Sequence, residues 1–276
     1  MERMQEVHLM FQKETEVPIE LSLSGNEDVT VSILTASLNE VDNLQAWFDQ
    51  IFLLYRTYNL KILKEIVIVD DGSVDGTLDL IRYYSNISPI PIRLISRQQK
   101  SGTLNAQIIG ANECRSEYVL VLDCDLQHPV TLIPDLLSKL HGSDHDIVIG
   151  SRYFEGGVNE WSAYRGAISR VATFISHVML NKTRKVKDPL SGFFIIKRSM
   201  LSSLVPHIGM YKPLLYAISM FQDAKIVETP VTMLERKEGE SKIVTRPFKM
   251  ILGYFREVLT FWINSNKGRA IRRRIR

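Results

Sequence analysis

Two carboxylates stand one residue apart directly after an apolar run, at Asp123 and Asp125 in the segment Tyr-Val-Leu-Val-Leu-Asp-Cys-Asp-Leu-Gln. Side chains alternate across an extended strand, so both carboxylates are expected on one face. Cys124 would then lie on the other face, and Gln127 would continue the period of the carboxylates. Hard oxygen ligands of this kind suit Mg²⁺ or Mn²⁺ bound together with substrate phosphates. A charged turn that ends a strand is the alternative.

A second acidic pair, Asp70 and Asp71, follows the apolar run 66–69. Gly72 and Gly76 lie just behind it and suit a tight turn. A carboxylate in this position could accept hydrogen bonds from a ribose or a base, whereas turn chemistry without a ligand is the alternative. The chain has no dinucleotide fingerprint after a strand and no phosphate-loop motif.

Strands and helices alternate from residue 29 onward. Continuous apolar strands are typical of parallel sheets that are covered on both faces. The alternation therefore predicts an α/β doubly wound sheet, whose ligands lie beyond the carboxyl ends of its strands. The expected strands are 29–34, 65–69, 92–95, 118–122 and 146–149, and the expected helices are 40–58, 76–84 and 103–113, with another from about residue 130.

The regular alternation of strands and helices ends after Gly150. A polar loop at 151–160 precedes a helical stretch at 161–180 and an apolar strand at 193–196. We therefore expect three parts in the chain. They are an N-terminal arm at 1–28, a domain at 29–240, and a C-terminal appendage at 241–276 with an apolar helix and a basic tail.

Composition narrows the class of protein. With 276 residues, 45% of them hydrophobic and 24% charged, the chain can build a full core. Its two cysteines form no disulfide framework, which favours a reducing compartment. The net charge of +3 combines +6 in residues 266–276 with −3 in the rest of the chain. An acidic body without aromatic residues among the basic ones disfavours a nucleic-acid-binding protein.

Four segments of the first half together resemble glycosyltransferase family 2. They are Ser-Leu-Asn-Glu at 37–40, Val-Asp-Asp-Gly-Ser-Val-Asp-Gly-Thr at 69–77, Gly-Thr-Leu-Asn-Ala at 102–106 and Asp-Cys-Asp-Leu-Gln at 123–127. The resemblance implies a GT-A fold in which the last segment holds a divalent cation, Mg²⁺ or Mn²⁺, on a sugar-nucleotide diphosphate. The implied metal ligands are Asp123, Asp125 and Gln127, and the implied donor-binding residues are Asn39, Glu40, Asp70, Asp71, Gly102, Asn105, Asp123, Cys124, Asp125, Gln127, Arg236 and Lys242.

The second half is similar to polyprenyl-phosphate sugar synthases, in particular to dolichyl-phosphate mannose synthases of the archaeal type. The similarity is carried by Gly-Ser-Arg-Tyr at 150–153, Trp161 to Arg165 with Ser169, Lys-Asp-Pro-Leu-Ser-Gly-Phe-Phe at 187–194 and Gly-Glu-Ser-Lys at 239–242. It implies that the lipid phosphate is bound by Arg152, Arg165 and Ser169, and that a loop from Arg236 to Lys242 lies near donor and acceptor.

The resemblance implies an inverting transferase that moves mannose from GDP-mannose to dolichyl or another polyprenyl phosphate. Asp125, Arg152 and Arg165 are expected to act in a single in-line displacement. The lipid phosphate is already anionic near neutral pH, so it needs positioning rather than a general base. A polyprenyl-phosphate glucose synthase that uses UDP-glucose and a non-catalytic sugar-nucleotide-binding protein are the alternatives.

Several of these residues also have a simpler interpretation. Arg152 and Arg165 could be ordinary surface ion-pair partners. Asp188 precedes a proline, which favours a role in shaping a turn. His128 could touch a metal, although a turn histidine beside Pro129 is the favoured interpretation.

Residues 250–263 are rich in large apolar side chains and are followed by the six basic residues of the tail. This pattern predicts an interfacial helix with a polybasic anchor on an anionic membrane surface, because the run is too short to span a bilayer. The expected location is the cytoplasmic face of a membrane, either peripheral or anchored by further segments. A helix packed on the core with a solvated tail is the alternative.

Overall fold

A seven-stranded sheet forms the centre of the computed structural model. Its strands are β1 Val31–Ser37, β2 Leu63–Asp70, β3 Ile92–Ser96, β4 Tyr118–Val121, β5 Ile147–Ser151, β7 Phe194–Lys197 and β8 Ile226–Pro230. Their order across the sheet is β3-β2-β1-β4-β7-β5-β8. Two short strands, β6 Val158–Asn159 and β9 Thr232–Met233, pair separately. The structure describes residues 29–98, 102–155, 157–159, 163–205, 212–233, 252–256, 258–260 and 262–263.

The first four strands are parallel, and β1, β2 and β3 end level with one another. Ser37 of β1 lies opposite Asp70 of β2, which lies opposite Ser96 of β3. β4 pairs with β1 through Leu34 and Val121 and therefore stops earlier. The polar residues that follow these strands consequently gather at one edge of the sheet, as the doubly wound pattern predicts.

β7 breaks the parallel order, since it pairs antiparallel with both β4 and β5. The sequence predicts this strand but not its direction. β7 brings the loop before it, residues 187–193, to the edge where β4 ends. The mostly parallel α/β sheet is confirmed.

Helices cover both faces of the sheet and leave its apolar strands buried on each side. One buried cluster joins the sheet to α1 (Val41–Thr57), α2 (Thr77–Ile87) and α4 (Ile133–Ser138). The other cluster joins it to α3 (Thr103–Glu113), α6 (Arg198–Ser202) and α7 (Pro213–Met220). Two 3₁₀ turns, Val130–Leu132 and Asn181–Lys185, complete this framework.

The remaining long helix, α5 (Ala163–Met179), packs against a C-terminal helical segment. Residues 252–256, 258–260 and 262–263 of that segment are helical. Val258 is fully buried against Leu180, Leu190 and Leu215, as the alternative of a packed helix predicts. Across the described ranges, no helix has both the length and the apolar character needed to cross a bilayer.

Candidate active site

The acidic segment after β4 forms a turn rather than the extended strand that the sequence suggested. β4 ends at Val121, and Leu126 adopts a positive φ of 60°. The Asp125 carboxylate accepts a hydrogen bond from the Gln127 backbone N–H at 3.1 Å, which closes this turn. This turn directs the Cys124 side chain into the core, where Cys124 is 1% exposed. Burial raises the pKa of the Cys124 thiol well above its usual value, so the thiol stays protonated.

Asp123, Asp125 and His128 bring three potential ligand atoms within 4.8 Å of one another. The two carboxylates supply the hard, negatively charged oxygens that Mg²⁺ and Mn²⁺ prefer, so these residues fit a divalent cation. The Asp123 and Asp125 carboxylates therefore lie close together, as the sequence analysis expected, but because of a turn rather than because of alternation along a strand.

His128 supports this group as a neutral side chain. Burial lowers its pKa to about 4, and its Nδ1 accepts a hydrogen bond from the Asp123 N–H at 3.2 Å. A neutral imidazole that accepts through Nδ1 carries its proton on Nε2, where it can donate to a carboxylate. The hydrogen bond attaches the His128 ring to the backbone of the acidic turn, in line with the interpretation of His128 as a turn residue.

Gln127 connects the acidic turn to α5. Its Oε1 accepts a hydrogen bond from Arg165 Nη2 at 3.1 Å, so the oxygen expected to bind metal is engaged by an arginine. Gln127 is 7% exposed, and its Nε2 has no hydrogen-bond partner among the described residues. A buried amide nitrogen of this kind favours a ligand that accepts its hydrogen.

Arg152 forms a buried bidentate ion pair with Asp188. Its Nε and Nη2 lie 2.7 and 2.6 Å from the carboxylate oxygens, and its backbone N–H donates to the same carboxylate. Burial by itself lowers the pKa of Arg152, but the Asp188 carboxylate outweighs this effect and raises it. The interpretation of Arg152 as a surface ion-pair partner is wrong in one respect, because both side chains are buried. Asp188 therefore does more than shape a turn.

Glu228 holds the other side of this pair in place. Its carboxylate accepts hydrogen bonds from the backbone N–H groups of Lys187 and Asp188 at 2.8 and 3.0 Å. Ser191 donates to the Gly150 carbonyl at 2.7 Å, so the loop before β7 is attached to both β5 and β8. These contacts fix the backbone that presents Asp188 to Arg152.

Tyr153 and Ser169 lie beside the Arg152 pair. The Tyr153 hydroxyl donates to Ser169 Oγ at 2.9 Å, and the Arg152 guanidinium carbon lies 5.2 Å from the centre of the Tyr153 ring. Ser169 follows Arg165 by one turn of α5, so both lie on one face of that helix. The structure thus brings Arg152, Arg165 and Ser169 to one side of the acidic turn.

The loop after β2 uses Asp70 for its own turn. The Asp70 carboxylate accepts hydrogen bonds from the N–H groups of Gly72 and Ser73 and from the Ser73 hydroxyl. Gly72 has a positive φ of 94°, which the tight turn requires. Asp71 instead lies 3.2 Å from Arg97 Nη1. For Asp70 the structure therefore supports the turn interpretation.

Asn39 and Glu40 connect the loop after β1 to the same turn. The Asn39 N–H donates to Ser73 Oγ at 2.8 Å, and its side-chain oxygen accepts from the Val74 N–H at 2.9 Å. The Glu40 N–H donates to Thr77 Oγ1 at 3.0 Å. Both loops are therefore held together at the carboxyl edge of the sheet, where the sugar-nucleotide donor is expected.

The remaining predicted donor residues divide into two groups. Gly102 precedes the first residue of α3, with a positive φ of 90°, and Asn105 lies in the first turn of that helix. Arg236 and Lys242 lie outside the described residues, as do the arm at 1–28 and the basic tail at 266–276.

The family model for glycosyl transferase family 2 matches residues 32–205, which contain the acidic turn, Arg152 and Arg165. The chain belongs to glycosyltransferase family 2. The match ends before β8, so Glu228 lies outside it.

Two relatives agree with this family, and a solved structure agrees with the fold. The chain is 35% identical over 229 residues to dolichol-phosphate mannosyltransferase of Pyrococcus furiosus, covering 83% of this chain and 62% of that protein. It is 30% identical over 212 residues to the enzyme of the same name from Saccharomyces cerevisiae, covering 73% and 77%. The fold resembles mannosyl-3-phosphoglycerate synthase from Rubrobacter xylanophilus, with a TM-score of 0.70, 17% identity and coverage of 91% and 80%.

Sequence reasoning missed two residues that organise this family 2 site. Asp188 belongs to a recognised motif, but its partner lies 36 positions away and no local pattern reveals it. Glu228 lies in β8, a strand that the sequence analysis did not predict. The available signal was an acidic residue that follows the β-branched pair Ile226 and Val227.

Proposed function

We propose that this family 2 chain transfers mannose from GDP-mannose to dolichyl or another polyprenyl phosphate, with inversion at the anomeric carbon. The observation that carries the proposal is the connection of the acidic turn to α5 through Gln127 and Arg165. It supports the proposal because a guanidinium suited to an acceptor phosphate then lies near carboxylates suited to the cation of a donor diphosphate. The names of the two relatives, of which the chain spans 62% and 77%, support mannose and dolichol.

On the donor side, Asp123 and Asp125 would hold Mg²⁺ or Mn²⁺, and the buried His128 would hold the backbone of their turn. The cation supplies positive charge that neutralises the departing nucleoside diphosphate. Asn39, Glu40 and the loop after β2 form the wall where the nucleoside part of the donor is expected.

On the acceptor side, Arg165 binds and orients the lipid phosphate, and Ser169 adds a hydroxyl one turn further along α5. The phosphate is anionic near neutral pH and acts as the nucleophile without losing a proton. A guanidinium binds phosphate through two parallel hydrogen bonds, which also fixes its direction of attack. Arg152 contributes as a positioning residue, since its contact with Tyr153 lies next to Ser169.

A lipid acceptor places this reaction at a membrane. The apolar segment at 250–263 and the basic tail support association with an anionic membrane surface, and a nucleotide-sugar donor supports the cytoplasmic face. Within the segment, Leu252, Phe255, Trp262 and Ile263 are exposed.

Product analysis tests the proposal directly. The chain is incubated with a polyprenyl phosphate, Mn²⁺ or Mg²⁺, and GDP-mannose or UDP-glucose in parallel. We expect a mannosyl-phospholipid from GDP-mannose, its loss on removal of the metal by a chelator, and its loss in Asp125→Ala. Calorimetry should show that Asp125→Ala abolishes metal-dependent donor binding.

Asp79→Ala provides the matched control, because Asp79 is an exposed carboxylate on α2 whose side chain is 84% accessible. It should retain full transfer and donor binding. Unchanged metal-dependent donor binding in Asp125→Ala would refute the metal assignment. Product from UDP-glucose alone would refute the mannose assignment.

A further inference from the structure

The loop before β7 contacts both sides of the site. At its first end, Asp188 forms the buried ion pair with Arg152. At its other end, a Cβ atom on Gly192 would lie 3.1 Å from His128 Cε1 and 3.4 Å from Asp123 Oδ2. The loop therefore joins the Arg152 pair to a carboxylate that is expected to bind the cation.

Most loops run over the surface of a protein, whereas this loop is largely buried. Residues 188–191 are all buried. The Ser191 hydroxyl donates to the Gly150 carbonyl at 2.7 Å, and its N–H donates to the Asp188 carbonyl at 3.3 Å. The Phe193 carbonyl accepts from the Gly150 N–H at 2.9 Å. A buried loop with hydrogen bonds to β5 and within itself has little freedom to move.

Glu228 attaches the first end of the loop to β8. Its two carboxylate oxygens accept from the N–H groups of Lys187 and Asp188 at 2.8 and 3.0 Å. β8 is the third strand beyond β4 in the sheet, about 14 Å away at the usual spacing of strands. A change at Glu228 would therefore reach the acidic turn after β4 through the loop rather than by contact.

Space, rather than backbone conformation, explains the glycine at position 192. The φ of Gly192 lies outside the left-handed region, unlike the φ of Gly72 and Gly102. Alanine is therefore compatible with the backbone there. Its Cβ atom would approach His128 Cε1 more closely than ordinary van der Waals contact, so the ring would have to shift by a few tenths of an ångström.

A shift of the His128 ring would reach the acidic turn directly. Its Nδ1 accepts the hydrogen bond from the Asp123 N–H at 3.2 Å, so the ring and the Asp123 backbone move together. The ring also stacks on the fully buried Phe193 ring, with 5.5 Å between the centroids. The loop thus contacts this histidine through two consecutive residues, Gly192 and Phe193.

We propose that the loop before β7 is a rigid spacer that fixes the Asp123 carboxylate relative to Arg152. Gly192 and Glu228 are its positioning residues, since each acts on the acidic turn through the loop. The proposal rests on the proposed function only for the cation at Asp123 and Asp125. A fixed separation matters because an in-line displacement needs donor and acceptor groups held in one geometry.

Mn²⁺ binding tests the spacer without turnover. Electron paramagnetic resonance measures Mn²⁺ binding to the full chain, without nucleotide and with GDP or UDP. We expect Gly192→Ala to weaken Mn²⁺ binding about tenfold, because groups that orient metal ligands typically contribute that much to metal affinity. Glu228→Gln should weaken it severalfold, since a single amide oxygen replaces the two carboxylate oxygens that hold the loop.

A loss of stability alone would not produce these results. A destabilised variant stays almost entirely folded well below its unfolding temperature, so the Mn²⁺ affinity of its folded state would not change. The double variant, Gly192→Ala with Glu228→Gln, should lose less affinity than the product of the two single effects. A loosened loop can move away from the added methyl group, so the two changes are coupled.

Gly253→Ala is the matched control. Gly253 is exposed on the C-terminal helical segment, and no described atom beyond its chain neighbours and the backbone of its own helix lies within 4 Å of its Cβ position. It should bind Mn²⁺ like the unaltered chain. Unchanged Mn²⁺ affinity in either Gly192→Ala or Glu228→Gln would overturn the spacer, and so would single effects that multiply fully in the double variant. If Gly192→Ala does not fold, Glu228→Gln decides by itself.

The spacer and the proposed function can fail separately. Mn²⁺ binding that both substitutions weaken, without a mannosyl-phospholipid product from the unaltered chain, would refute the proposed function and support the spacer. Product formation with unchanged Mn²⁺ affinity in both variants would support the proposed function and overturn the spacer. Absence of Mn²⁺ binding to the unaltered chain would overturn the spacer together with the metal assignment.

Discussion

At the scale of single residues, the partner of each charged side chain decides its role. Arg152 and Arg165 appear equivalent in the sequence, yet Arg152 is paired with a buried carboxylate while Arg165 contacts the Gln127 amide. A guanidinium that binds a buried carboxylate bidentately stabilises the fold around it. The contact with Gln127 instead holds the Arg165 guanidinium beside the acidic turn, where an anionic substrate could reach it.

Asp188→Ala tests the structural role of the buried pair. We expect a loss of about 3–5 kcal/mol in the free energy of unfolding, because the Arg152 charge would remain buried without its carboxylate. Urea unfolding followed by circular dichroism measures this loss. Asp79→Ala, which breaks the exposed pair with Arg82, should change the same quantity by less than about 1 kcal/mol. Equal small effects in both variants would contradict the buried-pair argument.

Arg165→Ala tests the acceptor role. We expect the KM for a soluble short-chain polyprenyl phosphate to rise about tenfold or more, because a charge-assisted hydrogen bond to phosphate is lost. The KM for the sugar nucleotide should change far less. Arg170→Ala, at an exposed position of the same helix, serves as the control and should leave both constants unchanged. Equal increases in KM for both substrates would indicate that Arg165 binds the sugar nucleotide or stabilises the fold.

At the scale of elements, close approach of α3 to the sheet depends on one glycine. A Cβ atom at Gly110 would lie 2.2 Å from Leu34 Cδ1 and 3.0 Å from Val69 Cγ2. α3 begins at the carboxyl edge with Gly102 and Asn105, so this packing also positions residues of the expected donor site. A change in the core at Gly110 would therefore also affect the position of the expected donor-binding residues.

Gly110→Ala should therefore destabilise the fold by about 1–3 kcal/mol, since the added methyl group forces Leu34 to move. Gly166→Ala on α5 is the matched change, because no described atom beyond its chain neighbours and the backbone of its own helix lies within 4 Å of the Cβ position there. It should stabilise the fold by about 0.5–1 kcal/mol through helix propensity. Thermal and urea unfolding of both variants provide the comparison. If Gly110→Ala were instead more stable than the unaltered chain, close packing of α3 on the sheet would not require a glycine at this position.

At the scale of the whole molecule, charge is concentrated at one end. Residues 266–276 carry six of the basic side chains, while the rest of the chain has a net charge of −3. Electrostatic attraction to a membrane is screened over about 8–10 Å at physiological salt, whereas apolar insertion is not. The tail and the apolar surfaces should thus respond differently to salt.

Truncation after Asn264 should remove the salt-sensitive part of vesicle binding and leave the salt-resistant part. We expect binding to anionic vesicles at low salt to weaken about hundredfold or more, because each basic residue near the surface contributes about 1 kcal/mol. Co-sedimentation across a salt series measures both parts. A variant in which lysine replaces the tail arginines keeps the charge and should bind like the unaltered chain. If the truncated chain retained the full salt dependence, the tail would not be the anchor.

The sequence by itself determined the α/β alternation and the edge at which the polar residues gather. Apolar runs such as 66–69 specify buried parallel strands, and the positions of Asp70, Asp123 and Asp125 after such runs specify the carboxyl edge. These features are local, because side-chain period and turn residues depend on neighbours along the chain. The motifs of family 2 lie within the same local segments.

Only the tertiary structure decided what these residues contact. It inserted β7 antiparallel between β4 and β5, and it paired Arg152 with Asp188 and Arg165 with Gln127. It also closed the acidic segment into a turn with the neutral His128. The two arginine contacts join residues more than thirty positions apart in the chain. The acidic turn depends on a reversal of the backbone. Periodicity along the chain reports which face a side chain takes, but the energy of a buried pair depends on which distant group reaches it.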